Sequence, residues 1–529
     1  MLRTESITVN GTVYPCSKVN LIIGANNSGK TTFLNQLFNS LVNRKVDQQI
    51  RITEIEMSLK NTKRIVESLI PNFFQNTSLQ QIPSLGRVTT KIATVSGLPW
   101  DEQIFNLIKM SDNRKRNFKI ETQDNTDRAI QFFTALLVGT LESCSNRLQL
   151  KFSTKVDQLT AIPEDPIGHL FRDKDILLLV SKNIYETFGI KIGFDNLIQG
   201  EKHLRILPNQ RITLAPDSVE AASAWEQQSK PIEGQGDGIK AYIRLALSLI
   251  QPSKHIIFID EPETFLHPPQ RRALGSLISE LVKQGNKQVF ISTHDPEILR
   301  GILNTTLNDV RIFNLIREND NFDLRVIERQ RVNSIIQQSS QLLAEKLLNS
   351  FFYKTTILCE DESDRVFYEN ASATYFWNLF QNANFIGLNG HGQAKKTFEH
   401  LKKIDLNARL VVDIDFALDG ILPTTITVPS IKTEFTQVKR LLAAHLGNRR
   451  LREQFKKNGV DYFKTTNTVL YNRLANLLEN LKIHGVFIVP VGELESWTNT
   501  NKGELTLALN IIYITRKVRL RRFLKDILT

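Results

Sequence analysis

Near the start of the chain three segments follow one another in an order that few folds accommodate: the apolar run VNLII, the octet Gly24-Ala25-Asn26-Asn27-Ser28-Gly29-Lys30-Thr31, and the helix-patterned TTFLNQLFNSL. A buried strand running into a glycine-rich turn and then a helix brings backbone N–H groups and the positive helix end to one point, where phosphate oxygens are held. Glycine is needed because the loop wraps more closely round the phosphates than a Cβ allows. Gly24, Asn26, Asn27, Ser28, Gly29, Lys30, Thr31 and Thr32 are therefore candidate nucleotide ligands. Lys30 is expected to reach the β- and γ-phosphates and Thr31 to hold Mg²⁺, which makes ATP and Mg²⁺ the expected cofactors.

A second apolar run, Ile256-Ile257-Phe258-Ile259, ends in Asp260 and Glu261. On a buried strand Asp260 can hold the outer shell of the metal while Glu261 orients or deprotonates an attacking water. An edge strand with two solvated acids is the plain alternative, and Lys30 weighs against it. The two halves place one ATPase core at residues 1–40 and 231–330. Residues 41–230 are then an insertion, largely helical, part ATPase lobe and part dimerisation region. VNSIIQQSSQLLAEKLLNSFF reads as a linker helix within 331–353, and 354–529 as a further α/β unit. A chain of 529 residues has room for about three such domains.

In that last unit the segments TTILC, ARLVVDID and GVFIVPVGE each run into carboxylates: Glu360 with Asp364, Asp413 with Asp415, and Glu493 with Glu495. Strand alternation would put Asp413 and Asp415 on one face. Oxygen donors without histidine or cysteine favour Mg²⁺ or Mn²⁺, and two such ions can stabilise both oxygens of a phosphodiester displacement. Solvated acids capping helices are the alternative for any one pair.

The net charge of +12 favours a polyanionic partner. Its positive residues cluster at Arg114–Lys119, at Arg449, Arg450, Arg452, Lys456 and Lys457, and at Arg516–Lys525, with few aromatics between them, so backbone contact is expected rather than base stacking. The apolar runs are too short to span a bilayer and the start lacks a signal-peptide core, so a cytoplasmic protein without a membrane partner is expected. Cys16, Cys144 and Cys359 have no paired spacing and read as reduced.

These motifs resemble two known families in succession. Asp260-Glu261-Pro262-Glu263-Thr264-Phe265-Leu266-His267-Pro268 resembles the DEPExxLHP segment of ABC-type ATPases of the repair and defence class, and Ile291-Ser292-Thr293-His294 resembles their switch histidine. Gly234-Gln235-Gly236-Asp237-Gly238 stands at the place of their signature, although it departs from the usual Ser-Gly-Gly-Gln form. The resemblance implies that Gly234 and Gly236 meet the nucleotide of a second copy, that His294 contacts the γ-phosphate, and that the chain forms a homodimer through its ATPase cores. Dimers could pair into tetramers through residues 41–230.

Glu360 with Asp364, followed by the Asp413-x-Asp415 pair, resembles a TOPRIM domain. The fusion of the two is similar to the OLD family, which includes Gabija nucleases and retron-associated effectors of antiphage defence. This implies an ATP-regulated, metal-dependent DNA endonuclease with Glu360, Asp364, Asp413, Asp415 and Glu493 as metal ligands. It also implies a late catalytic lysine, for which Lys502 is preferred to Lys517, and a helicase or a reverse transcriptase with its RNA–DNA product as partner. Asp361, where the family often has glycine, adds charge. The rival expectations are an ATPase scaffold with an idle TOPRIM-like unit and the nucleotide-binding subunit of a transporter.

Overall fold

The computed structural model describes residues 1–25, 27–43, 52–60, 116–121, 137–143, 152–155, 166–194, 201–207, 227–251, 254–285, 287–318, 321–338, 341–497 and 516–529, with residues 134 and 223. They divide into two compact units, 1–330 and 331–529.

The first unit opens with β1 (Leu2–Val9), β2 (Thr12–Pro15), β3 (Val19–Ile23) and α1 (Lys30–Asn43). Strands β4 (Ile52–Leu59), β5 (Arg116–Ile120), β6 (Val138–Glu142), β7 (Ser153–Lys155), β8 (Lys191–Phe194) and β9 (Glu201–Leu207) follow, with α2 (Pro166–Arg172) and α3 (Lys174–Phe188) between β7 and β8. Next come β10 (Lys230–Pro231), α4 (Asp237–Ile250), β11 (Ile256–Asp260), α5 (Pro268–Gly285), β12 (Gln288–Ser292), α6 (Pro296–Leu303), β13 (Val310–Glu318) and β14 (Asn321–Glu328).

Six strands form the central sheet in the order β14-β13-β3-β12-β11-β6, parallel from β13 to β6. β3 and β12 are buried throughout, as near-continuous Val/Ile/Phe runs require when both faces of a parallel sheet are covered. The phosphate loop and Asp260 leave the C-terminal ends of β3 and β11, with β12 between them, the edge where open α/β sheets place their ligands. The stretch expected to be largely helical also supplies strands. β4 and β5 extend an antiparallel sheet in the order β2-β1-β4-β5, and β7 and β9 join β10 in another.

The second unit contains the greater part of α7 (Arg329–Gln338), which with α8 (Gln341–Asn349) occupies the stretch expected as one linker helix. Then come β15 (Thr355–Cys359), α9 (Glu362–Tyr375), β16 (Ala383–Gly387), α10 (His391–Lys403), β17 (Ala408–Val412), α11 (Phe416–Asp419), α12 (Pro429–His445), α13 (Arg449–Asn458), α14 (Thr468–Ile483), β18 (Val486–Ile488) and α15 (Lys517–Leu528). The sheet is parallel, in the order β16-β15-β17-β18. Since β16 is added on one side of β15 and β17 on the other, the winding reverses between β15 and β17. That reversal opens a crevice at their C-terminal ends. The core beneath it joins α9, the segment after β18 and α15, where Trp497 Nε1 donates to Tyr368 Oη at 3.1 Å and Phe523 packs against both rings. Among the described residues no helix is long and apolar enough to cross a membrane.

Candidate functional site

At the end of β3 the loop turns through two residues of positive φ, Gly24 and Asn27, before Gly29, also of positive φ, leads into α1. Gly24 has no room for a side chain, because a Cβ there would collide with the Leu315 carbonyl and crowd Ser28 Oγ. Lys30 is buried and folds back over the loop, donating to the carbonyls of Gly24 and Ala25 at 3.0 Å each. Burial pulls its pKa down, while Glu261, Glu263 and Asp260 oppose the shift. Ser28 Oγ is buried with no hydrogen-bond partner among the described residues, a polar atom in need of an acceptor such as a phosphate oxygen. Asn26 lies outside the described residues.

Asp260 is shared by two hydroxyls: Thr31 Oγ1 donates to its Oδ1 at 3.1 Å, and Ser292 Oγ, from the end of β12, donates to the same oxygen. The residues expected to hold a metal between loop and strand are thus already in contact. Glu261 adopts a positive φ of 49°, held by its N–H bond to the Ser292 carbonyl at 2.9 Å. A non-glycine residue in that conformation costs about 1–3 kcal/mol, strain of the kind retained at functional positions.

His294 stands between two carboxylates, with Nδ1 3.4 Å from Glu261 Oε1 and 3.1 Å from Glu263 Oε1. Glu263 also accepts from the His294 amide at 3.0 Å and from Thr293 Oγ1 at 2.9 Å. Burial raises its pKa, opposed by these bonds and by His294. Sequence reasoning quoted Glu263 only as part of a motif, yet it is the residue that fixes the imidazole. Glu263→Ala is expected to lower ATP turnover about tenfold or more, the usual 1–3 kcal/mol for stranding buried donors, whereas Glu263→Gln, which keeps an acceptor oxygen, should retain most of it. Steady-state kcat and KM for both variants check this; an alanine variant as fast as wild type rules out the orienting role.

The glycines at the signature position lie in a 3-10 turn, Ile232–Gly234, and at the N-cap of α4, Gly236. At Gly238 a Cβ would come within 2.8 Å of the Phe265 carbonyl, so the turn after Glu263 packs on the start of this helix. Thr32 follows in the first turn of α1.

In the second unit the acids gather at the β15/β17 crevice. Glu360 follows β15, and its Oε2 accepts from the Asp413 amide at 3.4 Å. Asp364 lies in the first turn of α9, where its Oδ2 accepts from the Asp361 amide at 3.2 Å while Asp361 Oδ1 accepts from Ser363 and Asp364. Asp361 therefore serves as a helix cap. The alternation expected for Asp413 and Asp415 does not hold: β17 ends at Val412, and the pair lies on the turn that starts α11, with the Phe416 amide bonded to the Asp413 carbonyl at 3.1 Å. Both acids still face the crevice. Asp413 is half-buried and its pKa is well raised, by desolvation and then by Asp364, Glu360, Asp415 and Glu493. Asp364 is raised to about 7 by burial, Asp361, Glu360 and Glu495. Glu360 is raised by burial and Asp415, opposed by His391, whose Nδ1 is 3.5 Å away.

Glu493 is brought in by the segment after β18, and Lys456 of α13 bridges it to Asp415, with Nζ 2.7 Å from Asp415 Oδ2 and 3.4 Å from Glu493 Oε1. Burial lowers the Lys456 pKa, but the two carboxylates outweigh it and the net shift is upward. Lys456 is thus a lysine held at the acids. Lys502 lies outside the described residues, and Lys517 stacks over the Tyr375 ring, 5.7 Å from its centroid. Among the described residues no three His, Cys, Asp or Glu side chains are gathered as a ready ligand cage. The donor set is nonetheless oxygen only, with more negative charge than Lys456 and His391 can neutralise. That chemistry fits a hard divalent cation.

The family described as "AAA domain, putative AbiEii toxin, Type IV TA system" matches residues 202–300. The chain is similar to a Helicobacter pylori protein named ATP/GTP phosphatase, 23% identical over 309 residues, covering 54% of this chain and 81% of that protein. It is also similar to the Old nuclease of Escherichia phage P2, 22% identical over 309 residues, covering 51% of this chain and 50% of the phage protein, so this chain spans about half the length of that relative. Among solved structures, an SMC head bound to the C-winged helix domain of ScpA matches at 14% identity and a TM-score of 0.35, over 63% of this chain and 99% of that one.

Proposed function

We propose that the chain is an ATP-regulated, divalent-metal-dependent DNA endonuclease, built as an ABC-type ATPase followed by a TOPRIM-type nuclease unit and acting in antiphage defence. The observation that carries this reading is the meeting of Glu360 with Asp413 across the β15/β17 crevice, with Asp364, Asp415 and Glu493 close enough to raise the Asp413 pKa. Similarity to the phage P2 Old nuclease supports it.

In the first unit Lys30 and the loop amides would hold the nucleotide phosphates, Thr31 and Asp260 the Mg²⁺, and Glu261 the attacking water, with His294 fixed by Glu263. Gly234 and Gly236 would complete the site of a second copy, so the working species is a homodimer. In the second unit the five acids would hold Mg²⁺ or Mn²⁺, which supplies charge stabilisation at the scissile phosphate. Lys456 would then be released from Asp415 and Glu493 toward the substrate side. One observation favours a second reading, an ATPase scaffold with an idle nuclease unit: Lys456 already neutralises two of the acids.

Incubation with supercoiled plasmid in Mg²⁺ or Mn²⁺, with and without ATP, separates the two. Nicked or linear product that disappears in EDTA is expected. Intact plasmid under every condition, from protein that still hydrolyses ATP, would leave only the scaffold.

A further inference from the structure

We propose that the charged face of α13 is the docking surface for a DNA backbone beside the acid cluster, a proposal that rests on the nuclease reading of the second unit. At about 100° per residue, Arg449, Arg450, Arg452, Glu453, Lys456 and Lys457 fall within one arc of about 160°, with Leu451 and Phe455 opposite. The burial follows that division: Phe455 is buried, Lys456 half-buried, and the other charged residues exposed. Five cations thus share a face with the single acid Glu453. Its pair with Arg449, at 2.9 Å and largely solvated, is of the kind that contributes little in water and exchanges readily for a phosphate.

The helix is fixed relative to the acids at its C-terminal end. The Glu493 amide bonds the Lys456 carbonyl at 2.9 Å and the Val460 amide bonds Pro490 at 3.0 Å. Gly492 lies so close to the Lys456 carbonyl that a side chain there would collide with it. Arg449, Arg452 and Lys456 form one stripe, at spacings of three and four residues, that ends at Asp415 and Glu493. A helix of ten residues is about 15 Å long, the rise of about four phosphates along one strand. A backbone laid along the stripe would bring one of its phosphates to the acids. The charged arc carries no aromatic side chain, which fits a surface that holds phosphates without reading bases.

The test is binding of the full chain, in EDTA to prevent cleavage, to a labelled duplex of about 30 base pairs across a series of salt concentrations. The Arg449→Gln/Arg452→Gln double variant is compared with wild type and with Lys174→Gln/Lys182→Gln, which removes the same charge from exposed positions of α3 in the first unit. The α13 variant should weaken binding equally for unrelated sequences and reduce the slope of log K against log salt by about two, one for each phosphate contact. If it unfolds below the wild-type midpoint, the Arg449→Gln and Arg452→Gln single variants read the same effect, each with a loss of about one in slope. Slopes and affinities equal to those of the α3 control overturn the α13 assignment. Preference for duplex RNA over DNA, lost in the same variants, overturns DNA as the occupant. Wild type that binds no nucleic acid at all refutes the nuclease reading on which the proposal stands.

Discussion

Lys30→Ala should lower ATP turnover by about 10²–10³-fold, the loss typical of removing one donor aimed at developing charge, with an unfolding midpoint at least equal to wild type. The two halves of that expectation have the same cause. The Lys30 ammonium is buried and desolvated, so the fold gives up stability to keep it there, offset in part by Glu261, Glu263 and Asp260. Alanine removes a charge that is costly to bury, and with it the side chain that holds the loop carbonyls and can cross to the phosphates. Glu261→Gln should reach a similar loss by another route: the amide keeps the strained backbone position and the neighbourhood of His294 but cannot take a proton from water. Phosphate release and thermal unfolding measured on the same preparations check both. Turnover within threefold of wild type in either variant would remove the nucleotide site assigned here.

How much of this was legible from sequence depended on whether the signal was local. The phosphate loop, the strand ending in Asp260 and the histidine after β12 are each written in a run of about eight residues, where apolar strand patterning meets a loop or an acid. The role of Asp361 was also written locally, whereas Glu263 acts on Thr293 and His294 across the sheet, 30 and 31 residues on. Asp361-x-x-Asp364 has the spacing of a capping box, and reading it that way would have explained the extra acid as a helix start rather than as added charge at the metal site.

Lys456 is different. It lies 41 residues beyond Asp415 on a helix whose cations read together as one cluster for a polyanionic backbone, and backbone bonds between α13 and the segment around Glu493 hold one of the five at the acids. His391 likewise reaches Glu360 because Gly390 bonds the Glu360 carbonyl at 2.9 Å, a tertiary contact without sequence spacing to announce it. The Asp413 and Asp415 pair shows the converse. The pair was chosen by a rule that does not apply to it, since the strand stops before either acid and a turn aims both at the crevice.

That turn sets up the second large effect. Asp413→Asn should abolish metal-dependent cleavage, by at least about 10²-fold, while making the metal-free protein more stable. Asp413 stands half-buried among Asp364, Glu360, Asp415 and Glu493, and its pKa is driven well above the ordinary aspartate value. Asp364 moves from 3.8 to about 7 for the same reason, burial first and neighbouring carboxylates after it. A carboxyl whose folded pKa is raised keeps a proton that the unfolded chain has already released. Between pH 3.8 and about 7 the folded state therefore binds more protons, and its stability falls as pH rises through that window.

Wild type in EDTA should thus melt lower at pH 8 than at pH 5.5. Asp413→Asn should narrow that difference and raise the midpoint at pH 8 by about 2–6 °C, as expected if about 1–2 kcal/mol of charge burial is relieved. Adding Mg²⁺ or Mn²⁺ at pH 8 should stabilise wild type more than the variant, because the ion binds only where the carboxylates are charged. An asparagine variant that cuts plasmid at the wild-type rate would show that the scissile phosphate is handled elsewhere. One that neither cuts nor gains stability would mean that Asp413 is held by its neighbours for a structural reason, and the acids would then lose their claim to be a cation site kept at the expense of the fold.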